Sequence, residues 1–221
     1  KKPIVTIPSF DKEVFEGRDV RVDLTLSKNS MPCTERLYLV LSDDTIYRSS
    51  DIDSFSFKAQ KVAQNSIEKE YMVLSRFEGT HSILVDKKVL PITIWRTPNL
   101  KRLYKSNNPD IANKEFDVKD TISVCGKFDG NVVLKINHEY GDPEGWRFIW
   151  NGVGSSVATH TVPVKEFVVG ETKQYTVKVV NKPGNMEERN QHEESFVFKL
   201  KVCPTPTIEM AGQKAVYAGV D

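Results

Sequence analysis

Residues 13–26 read EVFEGRDVRVDLTL. Val20, Val22, Leu24 and Leu26 alternate with Arg21, Asp23 and Thr25, the two-residue period of a strand with one face buried. The stretch also recurs. Val14, Phe15, Gly17 and Asp19 return as Val216, Tyr217, Gly219 and Asp221, all at an offset of 202. Upstream, Pro3, Thr6 and Ile7 are answered by Pro204, Thr207 and Ile208. An intermediate copy lies at an offset of 110, which pairs Val14-Phe15 with Val124-Cys125 and Asp19 with Asp129. The same offset lays Val22, Leu24 and Leu26 on Val132, Leu134 and Ile136. An offset of 101 pairs Phe15 with Phe116 and Asp19 with Asp120. The offset of 110 is preferred because it superposes a whole strand face, and a slip of one residue turns core side chains to solvent. The repeating unit is then about 90–110 residues long, and the chain holds two units and the start of a third.

Short alternating segments fill both halves. Leu37, Leu39 and Leu41 share a face, as do Phe55 and Phe57. HSILVDKKVLPITIW (81–95) is read as two strands, the first ending near Val85 and the second built on Ile92 and Ile94. In the second half Val132, Leu134 and Ile136 share a face, as do Tyr175, Val177 and Val179, and Phe196, Phe198 and Leu200. KAQKVAQNSIEKEY (58–71) carries too few apolar residues for a helical stripe, and NMEERNQHEES (185–195) reads as a charged loop. TPNLKRLYKSNNPDIANKE (97–115) is polar, with two prolines, and reads as a junction in which NLKRLYK could form a helical turn. The expected fold is all-β, with about seven strands in each half at the spacing of a β-sandwich.

Composition excludes several classes. Thirty-one basic residues against 30 acidic ones leave a net charge of +1, which offers no electrostatic footprint for nucleic acid or an anionic membrane. No apolar run approaches the roughly 20 residues of a spanning helix, and KKPIVTIPSF lacks the apolar core of a secretory leader. The three cysteines, Cys33, Cys125 and Cys203, form no CxxC, so no zinc site is expected. His81, His138, His160 and His192 are scattered without metal-ligand spacing. No nucleophile elbow, phosphate loop or dinucleotide glycine pattern is present. No catalytic residue, cofactor or metal is expected.

A family resemblance rests on a pattern that opens each unit, with a residue or two of slack at Cys125: Pro-Thr-Pro-Thr-Ile, a spacer, then Val-[Tyr/Phe/Cys]-x-Gly-x-Asp. Trp146 and Trp150 follow in mid-unit, and then QYTVKVVN (174–181). This resembles the tandem immunoglobulin-like and PKD-like repeats of large surface proteins, especially Bacteroidetes adhesin-type arrays. WRFIWNGVGSSVATHTVPVKEFVVGETKQYTVKVVN is similar to a PKD module, although the usual acidic Gly-Asp-Gly turn is Asn151-Gly152-Val153-Gly154 here. The resemblance covers 120–221 well and 1–96 loosely. It implies two tandem immunoglobulin-like β-sandwich domains: domain 1 over 1–98, a junction over 99–115, an immunoglobulin-like or PKD-like domain 2 over 116–205, and the start of a third repeat or an extension over 206–221. The implied role is non-catalytic and extracytoplasmic, an adhesive or structural stalk or an interaction scaffold. Its partners are then neighbouring modules of the same array or a surface partner, with no membrane contact by this segment. A carbohydrate-binding module appended to an enzyme, and a luminal or periplasmic scaffold of a membrane assembly, are the alternatives.

Trp146, Phe148 and Trp150 are read with the two indoles on one side of the strand and Phe148 on the other. Trp146, Trp150 and Trp95 are the candidate stacking surfaces for a sugar, against the simpler role of core filling. Cys125 and Cys203 fall on strands that are neighbours in an immunoglobulin-like sandwich, so a disulfide between them is a candidate. Cys33 follows a proline in an expected loop. Asp43, Asp44, Asp51 and Asp53, and separately Glu139, Asp142 and Glu144, lack the regular spacing of a calcium loop and read as solvated turns.

Overall fold

A computed structural model describes residues 5–26, 37–41, 46–49, 54–77, 84–106, 114–125 and 130–204. The proposed third repeat, Cys33, His81 and the aspartates at 43, 44, 51 and 53 lie outside the described residues. The first half forms β1 (Val5–Phe10), β2 (Glu13–Phe15), β3 (Asp19–Leu26), β4 (Leu37–Leu41), β5 (Ile46–Ser49), β6 (Ser54–Lys58), β7 (Ser66–Phe77) and β8 (Leu84–Trp95). The second half forms β9 (Asn99–Ser106), β10 (Phe116–Asp117), β11 (Thr121–Cys125), β12 (Asn131–Glu139), β13 (Trp146–Trp150), β14 (Val153–Ser155), β15 (Thr159–Pro163), β16 (Thr172–Asn181) and β17 (His192–Cys203). Two 3-10 turns, Val164–Glu166 and Glu188–Asn190, complete the described elements.

The fold is all-β, as the alternation predicts. The strands of the first half make two sheets, β1-β3-β6 and β2-β8-β7-β4-β5. Those of the second make two more, β10-β9-β12-β15 and β11-β17-β16-β13-β14. Among the described residues no sheet mixes strands of the two halves. Both halves follow the same immunoglobulin-like route: the chain starts in one sheet, contributes a short strand to the other, and returns. Val14 of β2 lies beside Ile94 in a parallel pair, and Val124 of β11 lies beside Val202 in another. Val14 and Val124 are separated by the offset of 110, and their partners Ile94 and Val202 by 108.

Three residues make the first crossing possible. Arg18 N–H donates to Phe15 O at 3.1 Å, closing a turn in which Gly17 sits at φ +75°. That sign at the third turn position strongly favours glycine. Beyond the turn, Val20, Val22 and Leu24, with Phe55 and Phe57 on the neighbouring β6, share one buried cluster with Tyr71, Val73, Leu90, Ile92 and Ile94 of the other sheet, which joins the two sheets of the first half. Each such side chain removed from water is worth roughly 1.5–3 kcal/mol. In the second half Val132, Leu134 and Ile136 of β12 are each 0% exposed, so the face inferred from the repeat is the buried one.

The structure corrects several expectations. Residues 84–95 form one strand, not two. Pro91 interrupts nothing because β2 covers β8 only at Thr93–Trp95, so at Pro91 the strand has a ladder partner on one side, Glu70 of β7. The expected charged loop over 185–195 ends earlier, because β17 begins at His192; residues 66–77, whose pattern announces no element, form β7, with Tyr71 and Val73 buried. The stretch from Asn99 opens with strand β9, not a helical turn, and pairs with β10 through Tyr104 and Phe116. Finally, Trp146, Phe148 and Trp150 lie on a single face of β13, since positions two apart in a strand always do.

The chain divides into two compact units. One comprises residues 1–101, 136–158 and 177–196; the other comprises 102–135, 159–176 and 197–221. The division falls within β9, β12, β16 and β17, and between β14 and β15.

Replacing Gly17 by Ala tests the turn in isolation, because a Cβ there meets nothing within 4 Å. The left-handed backbone alone then costs about 1–2 kcal/mol in chemical denaturation. Gly154→Ala, equally uncrowded but without a positive φ, leaves stability unchanged within about 0.5 kcal/mol.

Candidate functional site

The three candidate tryptophans have different fates. Trp150 is 4% exposed, and its Nε1 donates to Val157 O at 3.4 Å, so it fills the interior. Trp95 is half-buried and donates its Nε1 to Glu13 Oε2 at 3.1 Å. Trp146 is half-buried at the start of β13, with its ring centroid 4.6 Å from that of His138 and 6.1 Å from that of Phe148. Trp146 borders a cavity of about 310 Å³ together with Asn65, His138, Tyr140, Gly141 and Pro143.

The turn carrying Tyr140 is fixed by a buried amide. Asn181, 0% exposed, accepts from Asp142 N–H at 3.0 Å through Oδ1 and donates to Asp142 O at 2.8 Å through Nδ2. Gly141 sits at φ +78°, and a Cβ there would lie 2.6 Å from Asn181 Oδ1, so only glycine fits beneath the clamp. Tyr140 itself takes φ +65°, an uncommon state for a bulky residue. The Arg96 guanidinium lies 3.9 Å from the centre of its ring, within cation–π range. Asn65 Nδ2 donates to Gly141 O at 3.0 Å. The acidic residues of this turn serve the backbone: Asp142 accepts from the N–H of Glu144 and of Gly184, and Glu139 accepts from Asn99.

A second polar cluster surrounds the start of β2. Asp11 is 3% exposed. Its Oδ2 accepts from Arg21 N–H at 2.7 Å, and its Oδ1 from Arg189 at 2.8 Å. Glu13 accepts from Trp95 through one oxygen and from Asn185 N–H, 3.2 Å away, through the other. Glu16 holds the N–H groups of Val62 and Thr97. Three carboxylates of one short stretch thus fasten β2 to β8, to the strand entry at Val62 and to the 183–190 loop. Nearby, the His192 ring meets Phe15 edge-on at a centroid distance of 5.9 Å, and its Nε2 makes no hydrogen bond. Burial, more than the Arg18 charge, holds His192 below the ordinary histidine value of 6.5 despite Glu194 beside it. Burial lowers His160 likewise.

Cys125 and Cys203 are register partners in the parallel pair of β11 and β17, and Cys203 carries a free thiol. Among the described residues no three His, Cys, Asp or Glu side chains converge as a metal site, and no helix is long and apolar enough to cross a membrane. The hub at Asp11, Glu13 and Asn181 is invisible in the sequence, because its partners are 10 to 178 residues apart and the acidic residues resemble any solvated turn.

No family model and no curated protein matches the chain. Among solved structures it is similar to the fibronectin(III)-like modules of Clostridium thermocellum CbhA, at 11% identity over 96% of this chain and 100% of that one, with a TM-score of 0.31. It is also similar to the N-terminal four immunoglobulin domains of Dscam1 isoform 7.44, at 13% identity over 91% of this chain, with a TM-score of 0.31. The isoform 6.9 structure gives 13% identity over 91% of this chain and a TM-score of 0.32. The chain spans 46% of the length of those four-domain chains.

Two outcomes follow from the polar cluster. Asp11→Ala strands the partly buried Arg21 N–H and removes the Arg189 contact, costing about 1–3 kcal/mol in denaturant titration. Asp19→Ala breaks an exposed pair with Lys58 and costs about 0.5 kcal/mol or less. Because the folded imidazole of His192 binds protons less readily than the unfolded one, its contribution is complete above the ordinary value near 6.5 and is lost as the pH falls below it. The thermal midpoint therefore drops between pH 7 and pH 5, and by less in His192→Gln.

Proposed function

We propose that this chain is a non-catalytic, extracytoplasmic segment of a larger protein, serving as load-bearing modules of a stalk or scaffold. Its partners are neighbouring modules of the same array or a surface partner. One observation carries this reading. In each half the first strand of the five-stranded sheet runs parallel to, and beside, the last strand of that half. Tension on the chain pulls the start of the first strand and the end of the last in opposite directions along the ladder. The hydrogen bonds between them are then loaded together in shear, not opened one at a time. The polar hub at Asp11 and Glu13 supports the same role, because it braces the loaded strand β2 from both sides.

Within this proposal Cys125 and Cys203 form a disulfide in an oxidising compartment. Neighbouring strands lie about 4.8 Å apart, inside the roughly 4.4–6.8 Å window for bridged Cα atoms. The bridge would join β11 to β17 covalently and make the enclosed residues inextensible.

Pulling single molecules from their ends tests the reading. With reductant present, two separate high-force events are expected, each releasing roughly 260–280 Å of chain for the spans Val14–Ile94 and Val124–Val202. After oxidation the second release disappears. Extension at low force without discrete events contradicts the load-bearing role.

A further inference from the structure

We propose that the cavity beside Trp146 is a binding site for a neutral saccharide. This goes beyond the load-bearing reading and does not depend on it. The site is built from the rings of Trp146, Tyr140 and His138, with Asn65, Gly141 and Pro143 completing the wall. At about 310 Å³ it falls at the lower end of the roughly 300–1,000 Å³ range of small-ligand sites.

Three features choose the ligand class. First, no carboxylate, ammonium or guanidinium lines the cavity, so it has no counter-charge for an ionic ligand. The nearby Arg96 is committed, with one face of its guanidinium on the Tyr140 ring and an N–H on Ala63 O at 2.9 Å. Second, three aromatic rings line the cavity, and Tyr140, which carries Arg96 over its ring, is still 37% exposed; aromatic rings are the size of a pyranose C–H face. The buried Asn181 clamp on Asp142 fixes the turn, and so holds the tyrosine in a backbone conformation uncommon for a bulky side chain. The stacking surface is therefore formed before any ligand arrives, which limits the ordering cost of binding.

Third, the wall carries both donors and acceptors that are unclaimed among the described residues. Asn65 spends its Nδ2 on Gly141 O and leaves Oδ1 free as an acceptor. Trp146 Nε1 is a free donor, and the Tyr140 hydroxyl can do either. Sugar hydroxyls donate and accept, and so satisfy both kinds of group. A proline-rich peptide, the other common guest of aromatic clefts, lacks N–H groups at its prolines and leaves Asn65 Oδ1 unmatched. The saccharide fits better.

An array of neutral oligosaccharides, probed with the whole 221-residue chain and followed by titration of intrinsic tryptophan fluorescence, tests this. Binding to at least one glycan is expected, weakened about tenfold in Tyr140→Ala and in Trp146→Ala, and also weakened in Asn65→Ala. Tyr140 is exposed, so its variant keeps the test valid if Trp146→Ala fails to fold, and circular dichroism identifies which variants remain folded. Absence of binding across the array overturns the proposal, as does equal binding by a folded Tyr140→Ala. Tighter binding of decaproline than of every glycan also overturns it, in favour of a peptide guest. None of these results bears on the force measurement, so the two readings fail separately.

Discussion

The parallel contact between a short early strand and the last strand of each half is the constraint on which the rest of this structure depends. β2 and β11 are too short to fold by themselves, and each exists because a neighbouring strand offers it a ladder. Their placement forces the chain to cross from one sheet to the other within a few residues. In the first half that crossing needs the positive φ of Gly17. Once made, it closes the five-stranded sheet and delivers Val20, Val22 and Leu24 to the buried cluster. Sheet closure, turn chemistry and core burial are therefore one event in the first half, and the motif repeated at the offset of 110 carries its strand faces, Val22 and Leu24 onto Val132 and Leu134.

Polar groups do a different job. Asp11, Glu13 and Asn181 add little apolar burial but satisfy backbone and side-chain groups that would otherwise be stranded. A buried donor without a partner costs about 1–3 kcal/mol, so such hubs specify which turn sits where more than they add to net stability. Among the described residues the buried apolar cluster of the first half contains none from the second. The segments 136–158 and 177–196 are held in the same compact unit as the first half through hydrogen bonds and an ion pair at Asn65, Glu13 and Asp11.

The legible part of the sequence was the part governed by period-two alternation. Val22 and Leu24 declared their face because Asp23 stands between them, and Leu134 and Ile136 because Lys135 does. β7 escaped because Glu68, Lys69 and Glu70 crowd the beginning of the strand and hide the alternation of Tyr71 and Val73. β9 escaped for a related reason: Lys101, Arg102 and Lys105 gave it the polarity of a linker, although backbone pairing, not side-chain burial, makes it a strand. The candidate site was visible only as Trp146. Asn65 and Tyr140 reach the same cavity through contacts over long sequence separations, for which no local pattern exists.

The central claim is that parallel closure occurs twice, at equivalent positions. Nuclear Overhauser contacts between residues 13–15 and 93–95, and between 121–125 and 199–203, test it most directly. The account predicts amide-to-Hα contacts between neighbouring strands at both places, in the registers Val14 with Ile94 and Val124 with Val202, without close Hα–Hα pairs. Strong Hα–Hα contacts at either place would mean antiparallel pairing and would contradict it, as would the absence of any cross-strand contact.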